Sequence, residues 1–189
     1  MDINTIVLAF FIYSFLGWCT EVVYQYFKHK VFINRGFLNG PFCPIYGFCA
    51  LLIITCLSDV HLNFIWLFIL TSVLTSVVEY ATSFFLEKFF ALKWWDYTED
   101  PFNLHGRICF HFSLAWGLAS VFLVKVLNPF IISSIGDITS NVLGFLAIIV
   151  VTYLSLDFCV TLYTLIMEKI NGRRKAFLGN TDDFDYTNK

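Results

Sequence analysis

Glu21, Glu79 and Asp157 each sit inside a long apolar run. If such a run crosses a bilayer, an ionised carboxylate at its centre costs about 2.5 to 3.5 kcal/mol even on insertion scales, so each is a candidate for function. Glu87 follows Glu79 on the same run; at about 100° per residue the two differ by about 80° around a helix axis and about 12 Å along it, and would face one cavity at two depths. Arg35 and Arg107 are the natural counter-charges, because a guanidinium does not discharge and grips a carboxylate or a phosphate with two hydrogen bonds. A set of this kind can coordinate a cationic or polar solute. It can hold a proton, or act as a general base beside an Arg-bound phosphate. Asn34, Ser83, Asp96 and Asn103 add hydrogen-bonding groups, so the candidate pocket is Glu21, Asn34, Arg35, Glu79, Ser83, Glu87, Asp96, Asn103, Arg107 and Asp157. His111 is left out, since a lone His on an apolar helix is usually a hydrogen-bonded core residue.

The elements that must position these groups are helices. The chain has 189 residues, 58% hydrophobic and 14% charged, too few charges for a soluble domain of this size. Five apolar stretches are expected to span, roughly 5–27, 44–57, 62–86, 108–127 and 138–167, the second being short. Helical spacing puts Ser14, Gly17, Glu21 and Gln25 on one face of the first. It likewise groups Ser72, Thr75, Glu79, Ser83 and Glu87 on the third, and Asp157, Thr161, Thr164 and Glu168 on the fifth. Polar stripes of this sort do not face lipid; they look into a bundle. The fold class is therefore all-α, a polytopic membrane helix bundle of about five transmembrane helices. Residues 1–168 form a single transmembrane domain and 169–189 a flexible tail.

Between the first two spans runs NRGFLNGPFCPIYG, where Gly36, Gly40, Pro41, Pro44 and Gly47 rule out a plain helix. Backbone of this kind survives at membrane depth only where protein or water satisfies its polar groups, so it is expected to be a shaped loop lining a cavity. A second polar segment, Lys93 to Arg107, joins the third and fourth spans, with Trp94, Trp95 and Tyr97 fitting an aromatic belt. Every Lys and Arg except Lys125 falls on the side of these two segments and the tail, which predicts an outside amino terminus and a cytoplasmic carboxyl terminus. The pocket then opens to the cytoplasm beneath an apolar outer half. Six cysteines without a CxxC pair read as packing residues, and no metal or cofactor is called for. A faint repeat at an offset of 66 superposes Glu21, Leu38, Gly40 and Cys43 on Glu87, Leu104, Gly106 and Cys109.

There is no GxxxxGK[ST], HExxH or GxSxG, which removes an in-chain ATPase and the usual protease and hydrolase readings. YSFLGWCTEVVY, NRGFLNGPFCPIYGF and EYATSFFLEKFF, followed by WWDYTEDPFNLHGRICFHFSLAWG, resemble the bacterial membrane family labelled "Putative ABC-transporter type IV", or ABC transporter permease. The resemblance covers roughly residues 10–117. It implies a multi-pass protein of the bacterial plasma membrane, a permease subunit that needs a separate ATPase; the partners expected of so apolar a chain are membrane lipids, not nucleic acid. The residues themselves leave three readings open: a permease-like or substrate-binding transport subunit, an intramembrane enzyme acting on a lipid or lipid-linked substrate at the inner leaflet, and a non-transporting scaffold or sensor.

Overall fold

The computed structural model describes residues 1–170 apart from 33, 35, 58, 59 and 61, and leaves out the side chains of 29 and 168–170. Arg35 and the tail from 171 onward therefore lie outside the described residues. Five helices dominate: α1 (Ile3–His29), α2 (Pro44–Leu57), α3 (Phe64–Phe90), α4 (Phe110–Gly136) and α5 (Ser140–Ile170). Four of them are long and apolar enough to cross a membrane; α2 is a shorter apolar helix. At about 1.5 Å per residue its 14 residues reach only about 21 Å, against about 30 Å of hydrocarbon.

Local chemistry sets the helix ends. Asp2 caps α1 by accepting the Thr5 amide at 3.1 Å, and Asn63 caps α3 by accepting the Trp66 amide at 3.0 Å. Both helices stop where Lys30 and Ala91 turn left-handed and bond back to Tyr26 and Glu87. Pro44 opens α2, a position where a missing amide costs nothing.

The fourth span runs past its expected end. Instead of stopping near Leu127, the helix widens into a π turn at Leu123–Leu127 and continues through Asn128 and Pro129 to Gly136. The wide turn absorbs the hydrogen bond that Pro129 cannot make, and Asn128 accepts the Tyr13 hydroxyl of α1 at 2.8 Å. Lys125, near the expected end of the span, thus lies well inside the helix.

Helix α1 packs along α2 and α5, and α3 along α4. Glycines allow the close approaches: a Cβ on Gly17 would enter the Tyr46 ring, one on Gly47 would meet Ser14 and Phe10, and one on Gly117 would meet Ser72. Leu8, Ala9, Tyr13, Ile54, Ile131, Ile135 and Leu143 form an apolar plug at the end of the bundle where α1 begins and α4 meets α5. The two polar connections occupy the opposite end. There Trp94 and Leu165 are buried among Phe37, Leu86, Phe90 and Trp95, so Trp94 is a core residue and not part of a belt.

Candidate functional site

The loop before α2 is held from the last helix. Asp157 accepts the backbone amides of Asn39 at 3.0 Å and Gly40 at 2.8 Å, one on each oxygen, while Asn39 Nδ2 donates to Thr161 Oγ1 at 2.9 Å. Asn34 is a second hub: its Oδ1 accepts Trp18 Nε1–H at 2.8 Å and the Gly36 amide at 3.0 Å, and its Nδ2 donates to the Asn39 carbonyl at 3.1 Å. Further on, the Cys43 amide donates to the Ser14 carbonyl of α1 at 3.0 Å. Gly40 serves space, not an unusual backbone angle, since its φ is not positive. A Cβ on Gly36 would stand 2.6 Å from the Phe42 carbonyl oxygen, and one on Gly40 would meet the Tyr153 hydroxyl and Asp157. Gly47 belongs to α2, and Pro41 lies in the loop.

The second connection is a small hairpin, β1 (Asn103–Leu104) paired with β2 (Ile108–Cys109). His105 and Gly106 both have positive φ, and the Arg107 amide closes on the Leu104 carbonyl at 3.0 Å, the sign pattern of the I′ turns that hairpins favour. Asn103 braces it, donating to the Thr98 and Asp100 carbonyls and accepting the Gly106 amide at 2.9 Å. Asp96 binds Thr98 and Lys93; burial pushes its carboxyl up, but these bonds outweigh it and hold Asp96 below the ordinary range. Asp96 and Asn103 are thus engaged in building the hairpin. In the repeat suggested by the sequence, Gly40 and Gly106 do different jobs.

Arg107 extends from this hairpin to Glu87 of α3, with an Nη2–Oε2 distance of 2.5 Å. Its guanidinium lies over the rings of Tyr80, at 5.5 Å, and Phe84, at 5.6 Å. Tyr80 in turn bonds His105 Nδ1 at 2.9 Å.

Deeper in α3, Glu79 is only 9% exposed. Its Oε1 accepts the Tyr97 hydroxyl at 3.1 Å, while Oε2 is buried with no hydrogen-bond partner among the described residues. Across the bundle, Glu21 of α1 accepts the hydroxyl of Tyr46, the first-turn tyrosine of α2. Glu21 is near enough for its charge to bear on Glu79. Ser83 is buried one turn from Glu79, and the Gln25 Oε1 and Ser14 Oγ atoms on the Glu21 face are buried without partners among the described residues. Trp116 packs on Tyr46 at 5.1 Å and Phe112 stacks on Tyr97 at 5.0 Å, closing the space around the acids. Tyr97 stays neutral: burial, then the charge of Glu79, pushes its hydroxyl well above the usual range, so it remains a donor.

Three groupings therefore emerge from the candidate set: Glu21 with Glu79 and Ser83, Glu87 with Arg107, and Asn34 with Asp157 around the loop. Tyr46 and Tyr97 are the partners that sequence reasoning missed. Their one signal was a buried-tyrosine rule, that a hydroxyl taken into an apolar interior finds an acceptor. Two surface hollows of about 510 and 420 Å³ are lined by Phe102, Leu104, Ile108, Cys109, Phe110 and Ser113, and by Cys19, Thr20, Val23 and Tyr24; among the described residues no carboxylate borders either.

The family model described as "Putative ABC-transporter type IV" matches residues 8–162, from within α1 to within α5. No curated protein and no solved structure matches the chain.

Proposed function

The chain belongs to the family described as "Putative ABC-transporter type IV", and on that premise we propose that it is a permease-like, substrate-binding subunit of a multi-pass transporter whose ATPase is a separate chain. The observation that carries the reading is the pair Glu21 and Glu79, two carboxylates inside spanning helices, each met by one tyrosine hydroxyl and neither paired with a cation among the described residues. Buried acids in a bilayer are costly, and this arrangement leaves acceptor capacity on Glu79 that a solute bearing N–H donors or positive charge would fill. In our reading the loop and the hairpin face the cytoplasm of a bacterial cell and the apolar plug seals the outer half. Solute then enters from the cytoplasmic end after Tyr97 or Tyr46 moves aside. A scaffold has no use for an unpartnered buried acid.

Native mass spectrometry of protein gently extracted from its own membranes tests this. A co-purifying ATPase subunit and a small solute are expected, with the solute lost in Glu21→Gln and Glu79→Gln. Full biological function with both acids neutralised, and no associated ATPase, would instead make the chain a scaffold.

A further inference from the structure

The polar cluster also has to balance its own charge. Glu79 Oε2 faces protein, not water, and among the described residues no Lys, Arg or His reaches it. The groups around Glu79 are Tyr97 from the segment before the hairpin, Glu21 of α1 with Tyr46 of α2, and the thiols Cys49 of α2 and Cys109 of β2. All are neutral donors or potential anions. Arg107, the nearest counter-charge in sequence reasoning, is already committed to Glu87 nearer the helix end. Leaving a neutral hydroxyl unpaired in such a place costs far less than leaving a carboxylate's charge unpaired. A second acid on the neighbouring helix adds to the cost of a negative charge on Glu79.

We propose that Glu79 is an intramembrane proton-binding site, with a hydrogen on Oε2 whenever Tyr97 covers it. An O–H bond forms on Oε2 as a hydronium ion on the hairpin side becomes water, and the reverse step returns the proton to water there. Tyr97 is the gate. Its hydroxyl holds Oε1, and its backbone amide is tied to the Gly106 carbonyl of the hairpin at 2.8 Å, so displacing the hairpin withdraws the hydroxyl and opens Glu79 to water. The use of this proton, exchange against a cationic or N–H-bearing solute, rests on the transport reading; its presence does not.

Infrared spectroscopy of the full chain in lipid vesicles reads the proton directly. At neutral pH a protonated-carboxyl C=O band is expected that bleaches as pH rises and is lost in Glu79→Gln. In Glu21→Gln the band remains and its midpoint moves to lower pH, because removing a neighbouring negative charge makes Glu79 easier to ionise. In Tyr97→Phe the midpoint moves to higher pH, since the carboxylate loses a donor. A measurement on the unmodified chain covers the case in which Glu79→Gln does not fold: dicyclohexylcarbodiimide, which reacts with protonated buried carboxyls, should label Glu79 and do so less as pH rises. Absence of the band at neutral pH, a band untouched by Glu79→Gln in a folded variant, or failure of the carbodiimide to label Glu79 each overturns the proposal. A protonated Glu79 in a protein that moves no solute would leave the site standing and remove the transport reading, whereas solute movement with an ionised Glu79 would do the opposite.

Discussion

Replacing Asp157 should loosen the loop before α2 without touching the loop itself. In Asp157→Ala the amides of Asn39 and Gly40 lose their acceptor. An unpaired buried donor costs about 1 to 3 kcal/mol. Asn39 is exposed and finds water, so about 1 kcal/mol is appropriate there; Gly40 is more enclosed, at about 2, giving about 3 kcal/mol in total. Asp157→Asn is the sharper change, because it keeps the shape but puts an NH2 group against one of two N–H donors, and it should lose about 2 kcal/mol. Cys43 reports the result, being 5% exposed and bonded through its amide to Ser14. With the other five cysteines replaced, alkylation of Cys43 through loop opening should speed up by roughly 10²-fold for the Ala variant, since about 1.4 kcal/mol is tenfold. Alkylation rates unchanged in both variants would refute the view that Asp157 holds the loop.

Arg107→Ala and Glu87→Gln should be coupled by about 1 to 2 kcal/mol in a double-mutant cycle, between the values for surface and buried pairs, because Arg107 is mostly covered and Glu87 about one-third exposed. Arg107→Ala with Glu79→Gln should be additive, and coupling to Glu79 in thermal unfolding would reverse the assignment. Gly17→Ala drives a methyl into the Tyr46 ring and should destabilise by about 1 to 3 kcal/mol. Gly136→Ala, with open space around it, should change stability by less than about 0.5 kcal/mol, and equal effects in detergent unfolding would remove the packing argument. For orientation, single cysteines at Lys93 and Asp137 in a cysteine-free chain should react oppositely with an impermeant thiol reagent, Asp137 being labelled from outside intact cells. Labelling of Lys93 from outside would invert the topology and the direction in which the cluster opens.

Helix number and the polar faces were legible because both rest on short-range regularities, apolar run length and the three-to-four spacing of residues such as Ser72, Thr75 and Glu79. The end of α4 was not. Pro129 reads as a breaker, and its tolerance depends on a π turn and on a tyrosine hydroxyl arriving from α1. Similarly, Asp157 was placed on an inward face, yet its role depends on amides 117 and 118 residues away. Tyr97 looked like a belt residue because an aromatic beside charged residues at a span end carries the same local pattern whether its hydroxyl meets headgroups or Glu79. The choice of Glu87 over Glu79 by Arg107 was a question of depth: a residue on the hairpin turn before α4 reaches the near acid first.

The anchoring of the loop also orders the protein's assembly in time. Helix α2 is too short to fill the bilayer alone, and the loop that completes it finds its acceptor on α5, more than 100 residues later in the chain. Until Asp157 arrives, the acceptor that meets the amides of Asn39 and Gly40 in the folded chain is missing. The early half of the chain therefore waits at the interface for the late half, and a truncation before Asp157 would strand α2, not merely remove α5.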